Sequence, residues 1–280
     1  MKEVTVSASV VVHDSPKEEL CSLLDSLSAS AIDRVWVVYN GPDADFFHEL
    51  RHRLASFPKE VTVVRTENNG YGAGHNVAVR EAMAAGSRYH LVVNPDVCWQ
   101  GDVAMPIVDY FETHPEAGII APLIRYPDGR LQYNARLLPS PADLLVRRLV
   151  PGFLRKRHDR RYLLQDLDPS EPVNAPYLLG CFMFFRMEAL REAGLFDERF
   201  FMYPEDIDIT RRFHRRWQTL RLPVATVIHT HRRASAKSLR MLRVHLINML
   251  RYFRKWGFLR DPERRLFNRR LRGGRGGRRR

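Results

Sequence analysis

The strongest constraint in this chain is an alternation in its first 122 residues: a short apolar run, a polar turn, then a segment of helical periodicity. Such a pattern is how a parallel sheet covered by helices reads. Thr5 to Val12 predicts a first strand, and Pro16 to Leu27 an amphipathic helix with Leu20, Leu23, Leu24 and Leu27 on one face. Val35 to Tyr39 predicts a second strand. Asn40-Gly41-Pro42-Asp43 then supplies turn chemistry and the N-cap of a helix running to about Ala55. A third strand, Val61 to Arg65, precedes a Gly-rich loop and a helix from about Asn76 to Ala85, and a fourth, Tyr89 to Val93, ends at Asn94-Pro95-Asp96.

The second half has a different texture. Tyr126-Pro127-Asp128-Gly129 predicts a hairpin turn, and the Pro- and Arg-rich stretch from Leu137 to Pro172 has weak periodicity, as a mobile loop or an acceptor-binding excursion would. Leu178 to Arg186 has strand length and composition, helices are expected near Met187 to Ala193 and Glu205 to Arg215, and a last strand over about Ala225 to His229. No stretch approaches the roughly 18 apolar residues of a membrane-spanning helix, and the N-terminus carries no signal-like segment. Cys21, Cys98 and Cys181 are odd in number and lie in or beside apolar runs, which fits a reducing, cytoplasmic compartment better than disulfides or zinc.

The net charge of +13 suggests nucleic acid until its distribution is counted. From Arg232 to Arg280 there are 18 Lys and Arg against Asp261 and Glu263, while the other 231 residues carry 27 basic against 30 acidic groups. The body is near neutral and the basicity belongs to a C-terminal appendage. At helical spacing, Leu242, Leu246, Met249, Leu250, Phe253 and Trp256 form one stripe, with Arg240, Arg243, Arg251, Arg254 and Lys255 opposite. Such a helix either packs its stripe on the domain or lies in a membrane interface. Arg269 to Arg280 alternates arginine with paired glycines and is expected to be disordered.

Four segments could carry chemistry. Asn94-Pro95-Asp96 follows a buried strand, and in an open parallel sheet ligands bind outside the carboxyl ends of the strands. One carboxylate beside a diphosphate can suffice for Mg2+ or Mn2+, although Asn-Pro-Asp by itself is an ordinary turn. The alternate glycines Gly70, Gly72 and Gly74, with Tyr71, His75 and Asn76, would let backbone approach a phosphate or ribose, or would serve as a flexible linker. Their spacing and their place after the third strand disfavour a nicotinamide enzyme. Pro204-Glu205-Asp206-Ile207-Asp208 puts three carboxylates at a helix start, where helix-dipole stabilisation is the plain alternative to catalysis. His229 and His231 follow the last strand, within reach of a metal or phosphate.

Taken in order, these segments resemble glycosyltransferase family 2, in particular its bacterial rhamnosyltransferase-like members. The resemblance spans roughly residues 4 to 232. It rests on Asp14-Ser15-Pro16, Asn40-Gly41, Asn68 to Asn76, Asn94-Pro95-Asp96, Tyr126 to Gly129, Gly180-Cys181-Phe182-Met183 and Gly194 to Asp208. It implies an α/β fold of the GT-A type: a mostly parallel nucleotide-binding sheet flanked by helices, followed by C-terminal amphipathic helices and a basic tail. The implied organisation is a catalytic domain over 1–232, with a nucleotide-sugar half (1–122) and an acceptor half (123–232), then a basic helical extension (233–268) and the Arg/Gly tail (269–280).

By the same resemblance, Asp96 looks like the metal-binding acid, Asp206 like the general base with Glu205 in support, and His229 or His231 like a further metal or diphosphate contact. His13, Asp14, Tyr39, Asn40, Gly41, Gly70, Tyr71, Gly72, Gly74, His75, Asn76, Asn94, Gly180 and Cys181 are the implied donor- and substrate-binding positions. Two positions depart from the family pattern: Tyr39 stands where an Asp usually precedes Asn-Gly, and Val12-His13-Asp14 replaces Thr-Tyr-Asn. Stacking of Tyr39 on the base could replace the lost contact.

The implied activity is inverting, metal-dependent transfer of a sugar, with L-rhamnose as best match, from a nucleotide-diphosphate sugar to a hydroxyl of a polyprenyl-diphosphate-linked or polysaccharide acceptor. The implied location is the inner face of the plasma membrane, held there by the basic helix on an anionic surface. Two alternatives remain open on sequence alone. One is a nucleic-acid-binding protein using the Arg/Gly tail. The other is a sugar-phosphate nucleotidyltransferase, whose early Gly-rich basic loop is missing after Val12.

Overall fold

Residues 5–230 and 239–273 are described by a computed structural model of the chain. The expected strands and helices of the first half are present: β1 (Val6–Val12), α1 (Lys17–Ser28), β2 (Arg34–Tyr39), α2 (Ala44–Leu54), β3 (Glu60–Arg65), α3 (Tyr71–Ala84) and β4 (Tyr89–Val93). Parallel pairing runs β3-β2-β1-β4. Side-chain alternation along these strands feeds two layers. Val6, Ala8, Val10 and Val12 join Leu20, Leu23, Leu24 and Leu27 of α1 on one face, while Trp36, Val38 and Val92 meet Ala78, Val79 and Ala82 of α3 on the other.

Beyond β4 come β5 (Val97–Cys98), α4 (Ala104–Thr113), β6 (Ala117–Arg125), β7 (Leu131–Gln132) and β8 (Ala135–Arg136). The Tyr126–Gly129 turn closes as expected, with β6 and β7 antiparallel. The stretch expected to be a loop instead contains α5 (Pro141–Leu149) and α6 (Lys156–Tyr162). α5 is short and starts on a capping box, in which Ser140 and Asp143 satisfy each other's backbone amides. After β9 (Val173–Asn174) and β10 (Tyr177–Leu178), β11 (Phe182–Arg186) enters the main sheet antiparallel between β4 and β6.

α7 (Met187–Ala193) and α8 (Glu205–Phe213) follow, then β12 (Gln218–His229). β12 begins seven residues earlier than its sequence suggests, and its register shifts between Arg221 and Thr226. Pro223 lies in that shift, where a missing N–H interrupts the ladder. The sheet order is β3-β2-β1-β4-β11-β6-β12-β5.

Two helices close the described chain, α9 (Leu239–Trp256) and α10 (Pro262–Gly273). Met249, Tyr252, Phe253 and Phe267 pack on Leu138, Tyr177, Phe200 and Ile207 in a third core cluster. The expected α9 stripe is therefore divided, since Met249 and Phe253 are buried whereas Leu246 and Leu250 stay exposed. His231 and the tail beyond Gly273 lie outside the described residues.

Candidate active site

The site forms where the carboxyl ends of β1, β2 and β4 meet the start of α8, the crevice expected of an open sheet. Asn94 follows β4, and its amide donates to the Cys181 carbonyl at 3.0 Å, which ties the Asn94-Pro95-Asp96 turn to the entry of β11. β5 then pairs Val97 with His229 of β12. This pairing brings His229 Nε2 to 3.3 Å from Asp96 Oδ2. On the other side of the ring, Nδ1 donates to Gln132 Oε1 at 2.8 Å, which fixes the imidazole so that Nε2 faces the carboxylate.

Burial alone would raise the Asp96 carboxyl, but the His229 imidazole and the Asn94 side chain hold it below its usual range. Burial would lower His229, yet Cys181 and Asp96 together push it up to about 10. The second carboxylate oxygen of Asp96, Oδ1, is buried without a hydrogen-bond partner. A buried anionic oxygen with no donor is costly unless something outside the chain completes it. Among the described residues no group of three or more His, Cys, Asp or Glu side chains could hold a metal. The Asp96 and His229 pair nonetheless supplies one hard oxygen and, once Nε2 has given up its proton, one imidazole nitrogen, a donor set that suits a divalent cation sharing its remaining positions with phosphate oxygens and water.

Opposite this pair lies the first turn of α8, which opens at Glu205 directly after Pro204. Asp206 accepts from the Gly180 amide at 3.1 Å through Oδ2 and from its neighbour Ile207 at 2.8 Å through Oδ1. Gly180 fits closely here, since a Cβ would stand 3.0 Å from Asp206 Cβ and press on that side chain. Its carbonyl accepts from the Tyr71 hydroxyl at 2.7 Å. Burial raises the Tyr71 phenol well above its usual range, and Glu205, Cys181, Asp206 and Asp96 all add to that shift. One hydroxyl thus feels both the α8 carboxylates and Asp96.

Burial also raises both members of the Glu205 and Asp206 pair. Glu205 reaches about 8, with Asp206 as its second cause, and its Oε2 has no partner. Asp206 is restrained by the Gly180 and Ile207 amides and by Arg136. Asp208 does something else: Arg212, Lys255 and the Trp256 indole hold it.

At the carboxyl ends of β1 and β2, His13, Asn40, Gly41 and Asn68 converge. His13 Nδ1 lies 3.0 Å from the Asn40 carbonyl, and Asn40 Nδ2 donates to Asn68 Oδ1 at 3.4 Å. Asn40 Oδ1 and Asn94 Oδ1 are both buried and unpartnered. Asp14 is exposed beside them.

At five expected binding positions the side chain, or the space beside the backbone, is occupied from within the chain. Tyr39 points into the core, stacks on Phe47 and accepts from the Asp43 amide, so it is not placed to stack on a base. His75 is fully buried, hydrogen-bonded to Ser9, with burial lowering its pKa. Asn76 spends its amide on Phe196 and Glu198. Gly72 and Gly74 admit the Phe196 side chain and Val11, and helix α3 begins at Tyr71 rather than at Asn76. Gly70 does adopt a left-handed φ of 105°, but the group it admits is the Phe201 backbone.

Sequence reasoning missed Gln132 and Arg136. Their signal was the alternation of Gln132, Asn134 and Arg136 after the Tyr126–Gly129 turn, which marks a return strand with one polar face.

Similarity to known proteins agrees with this geometry. The chain is 35% identical over 235 residues to the N-acetylglucosaminyl-diphospho-decaprenol L-rhamnosyltransferase of Mycobacterium tuberculosis, covering 79% of this chain and 74% of that one. Its fold matches the mannosyltransferase PcManGT of Pyrobaculum calidifontis, solved with GDP-Man and Mn2+, at a TM-score of 0.61 and 15% identity, over 94% of this chain and 69% of that one. It also matches GalNAc-T7, solved with UDP, GalNAc and Mn2+, at a TM-score of 0.66 and 15% identity over 91% of this chain. The chain spans about half, 48%, of the GalNAc-T7 chain. The family model for glycosyl transferase family 2 matches residues 7–194, and the chain belongs to that family.

Proposed function

We propose that this glycosyltransferase moves a sugar, L-rhamnose by likeness to the mycobacterial relative, from a nucleotide-diphosphate donor to a hydroxyl of a lipid-linked acceptor, with inversion and metal assistance. The observation that carries the reading is the Gly180-Cys181 corner, whose Gly180 amide holds Asp206 at 3.1 Å while the Cys181 carbonyl accepts from the Asn94 amide at 3.0 Å, two residues before Asp96. His13, Asn40, Gly41 and Asn68 bind the nucleotide at the ends of β1 and β2. Asp96 and His229 would hold Mg2+ or Mn2+. When bound, the cation neutralises charge developing on the departing diphosphate, which in a water-poor cleft is a large contribution.

Asp206 accepts the proton of the attacking acceptor hydroxyl. Its buried carboxylate is held by two backbone amides and is a stronger base than an exposed one. Tyr71 acts through Gly180: it fixes the carbonyl of the residue whose amide aims Asp206. The membrane reading draws on exposed apolar side chains beside basic ones. Leu145, Leu149, Phe153 and Leu154 project from the α5–α6 segment next to Lys156, Arg157 and Arg160. No helix among the described residues is long and apolar enough to cross a membrane.

The test supplies deoxythymidine-diphosphate rhamnose, a divalent cation and a prenyl-diphosphate-linked N-acetylglucosamine, then follows products. Release of nucleoside diphosphate with an inverted anomeric linkage is expected. Pyrophosphate release would indicate nucleotidyl chemistry instead, and no turnover with any nucleotide sugar would remove the assignment.

A further inference from the structure

A cavity of about 470 Å³ opens beside α8, lined by Arg199, Phe200, Arg251, Arg254 and Lys255. Four of these five side chains are cationic, and the carboxylates nearby do not balance them. Asp197 is shared between Arg199 at 2.6 Å and Lys255 at 2.8 Å, and Asp208 is divided between Lys255 and Arg212. Arg251 donates only to the Arg199 carbonyl and to Asn248, so among the described residues it has no carboxylate partner, and neither has Arg254. Cations gathered around a cavity without counter-charges favour an anion, and arginine forks suit phosphate oxygens in particular.

The position of the cavity narrows the ligand. Arg199 and Phe200 lead straight into the segment that delivers Glu205 and Asp206, and Lys255 reaches Asp208, one helical turn or roughly 5 Å along α8 from Glu205. One turn before the two arginines, α9 leaves Leu246, Ile247 and Leu250 exposed at 52%, 40% and 52%. A cationic cavity on a helix that also exposes apolar side chains one turn earlier is complementary to a phosphorylated amphiphile.

We infer that this cavity binds the diphosphate of a prenyl-linked acceptor, with its hydrocarbon running along α9, as a subsite distinct from the donor diphosphate site at Asp96. The inference rests on the lipid-linked acceptor reading and names where that acceptor is held. The diphosphate would be gripped by Arg251 and Arg254, with Arg199 and Lys255 closing the far wall. The attached sugar would then reach toward Asp206.

The experiment titrates the full chain by calorimetry with geranylgeranyl diphosphate, with inorganic pyrophosphate and with phosphatidylcholine vesicles containing phosphatidylglycerol. Geranylgeranyl diphosphate should bind at least tenfold more tightly than pyrophosphate. The Arg251→Gln/Arg254→Gln variant should lose at least tenfold of that affinity while keeping its nucleotide-sugar affinity, which also reports that it is folded. The control Arg51→Gln/Arg53→Gln, which removes equal charge from the exposed end of α2, should bind the prenyl diphosphate as the unaltered chain does.

Unchanged affinity in the α9 variant overturns the site. Equal loss in the α2 control shows diffuse attraction and overturns it too. Equal affinity for pyrophosphate, or binding only to the anionic vesicles, overturns the prenyl-diphosphate assignment. The glycosyltransferase reading is tested separately by nucleoside diphosphate release, so its failure leaves a different signature from loss of prenyl binding.

Discussion

Asp206 and Glu205 are neighbours in sequence and unlike in setting. Asp206 accepts two backbone N–H groups, whereas Glu205 keeps one buried oxygen without a partner. Asp206→Asn keeps the shape and removes the basicity, so acceptor transfer should fall by about 10² to 10⁴ with donor affinity nearly unchanged. Asp96→Ala should instead weaken metal-dependent nucleotide binding, and equal affinity with and without metal in the unaltered chain would count against that role.

Glu205 also leaves a mark on stability. Burial and Asp206 raise it to about 8, so the folded state binds a proton that the unfolded chain releases near its ordinary range. Stability therefore falls as pH rises from the unfolded value through about 8, by at most about 1.4 kcal/mol per pH unit. Glu205→Gln should flatten that slope in metal-free buffer, read from thermal melts between pH 5 and 9. Parallel slopes for the two proteins would refute the raised carboxyl.

The residue scale also shows what motifs hide. The placement of Asp96 after a strand end and of Asp206 at a helix start was legible in the sequence. Tyr39, His75 and Asn76 lie in equally recognisable motifs, yet their side chains turn inward, because a motif records backbone environment and packing together with ligand contacts.

At the scale of elements, α8 is held from behind by the C-terminal helices. Arg211, 1% exposed, forks onto Asp261 at 2.6 and 2.8 Å and donates to Glu263 at 2.9 Å, with its guanidinium over the Trp256 ring. Two oxygens matched to two nitrogens satisfy the buried charge, and removing one partner leaves the other stranded. Asp261→Ala should thus destabilise by about 3 to 5 kcal/mol. Because Arg211 and Asp206 share one short helix, acceptor turnover should fall more than donor affinity. A chemical denaturation curve within 1 kcal/mol of the unaltered chain would show the pair to be dispensable.

This clamp was invisible in the sequence, where Asp261 and Glu263 were merely two acids in a basic tail. Helix α5 was missed for a related reason. Its nine residues are too few to display a period, and the capping box that starts it is the stronger signal.

At the scale of the molecule, the parallel pairing of the first four strands followed from their alternation with helices, but their order and the antiparallel pairing of β11 did not. An antiparallel strand inserted between β4 and β6 brings Gly180 and Cys181 beside Asn94, and no local pattern encodes that long-range choice. Charge behaves in the same way. The sequence located it in the C-terminal appendage, whereas the fold sets Lys156, Arg157 and Arg160 of α6 beside an apolar tip.

Leu149, Phe153 and Leu154, exposed by 73%, 71% and 65%, are costly in water and suited to the headgroup boundary. Neighbouring cations near an anionic leaflet contribute about 1 kcal/mol each. Binding to phosphatidylglycerol vesicles should therefore be strong at low salt and weaken as salt rises. Leu149→Ser/Phe153→Ser/Leu154→Ser should reduce it about tenfold or more without changing nucleotide affinity. If the triple variant sediments with vesicles as the unaltered chain does, the tip faces water, and attraction to the bilayer belongs to the arginines alone.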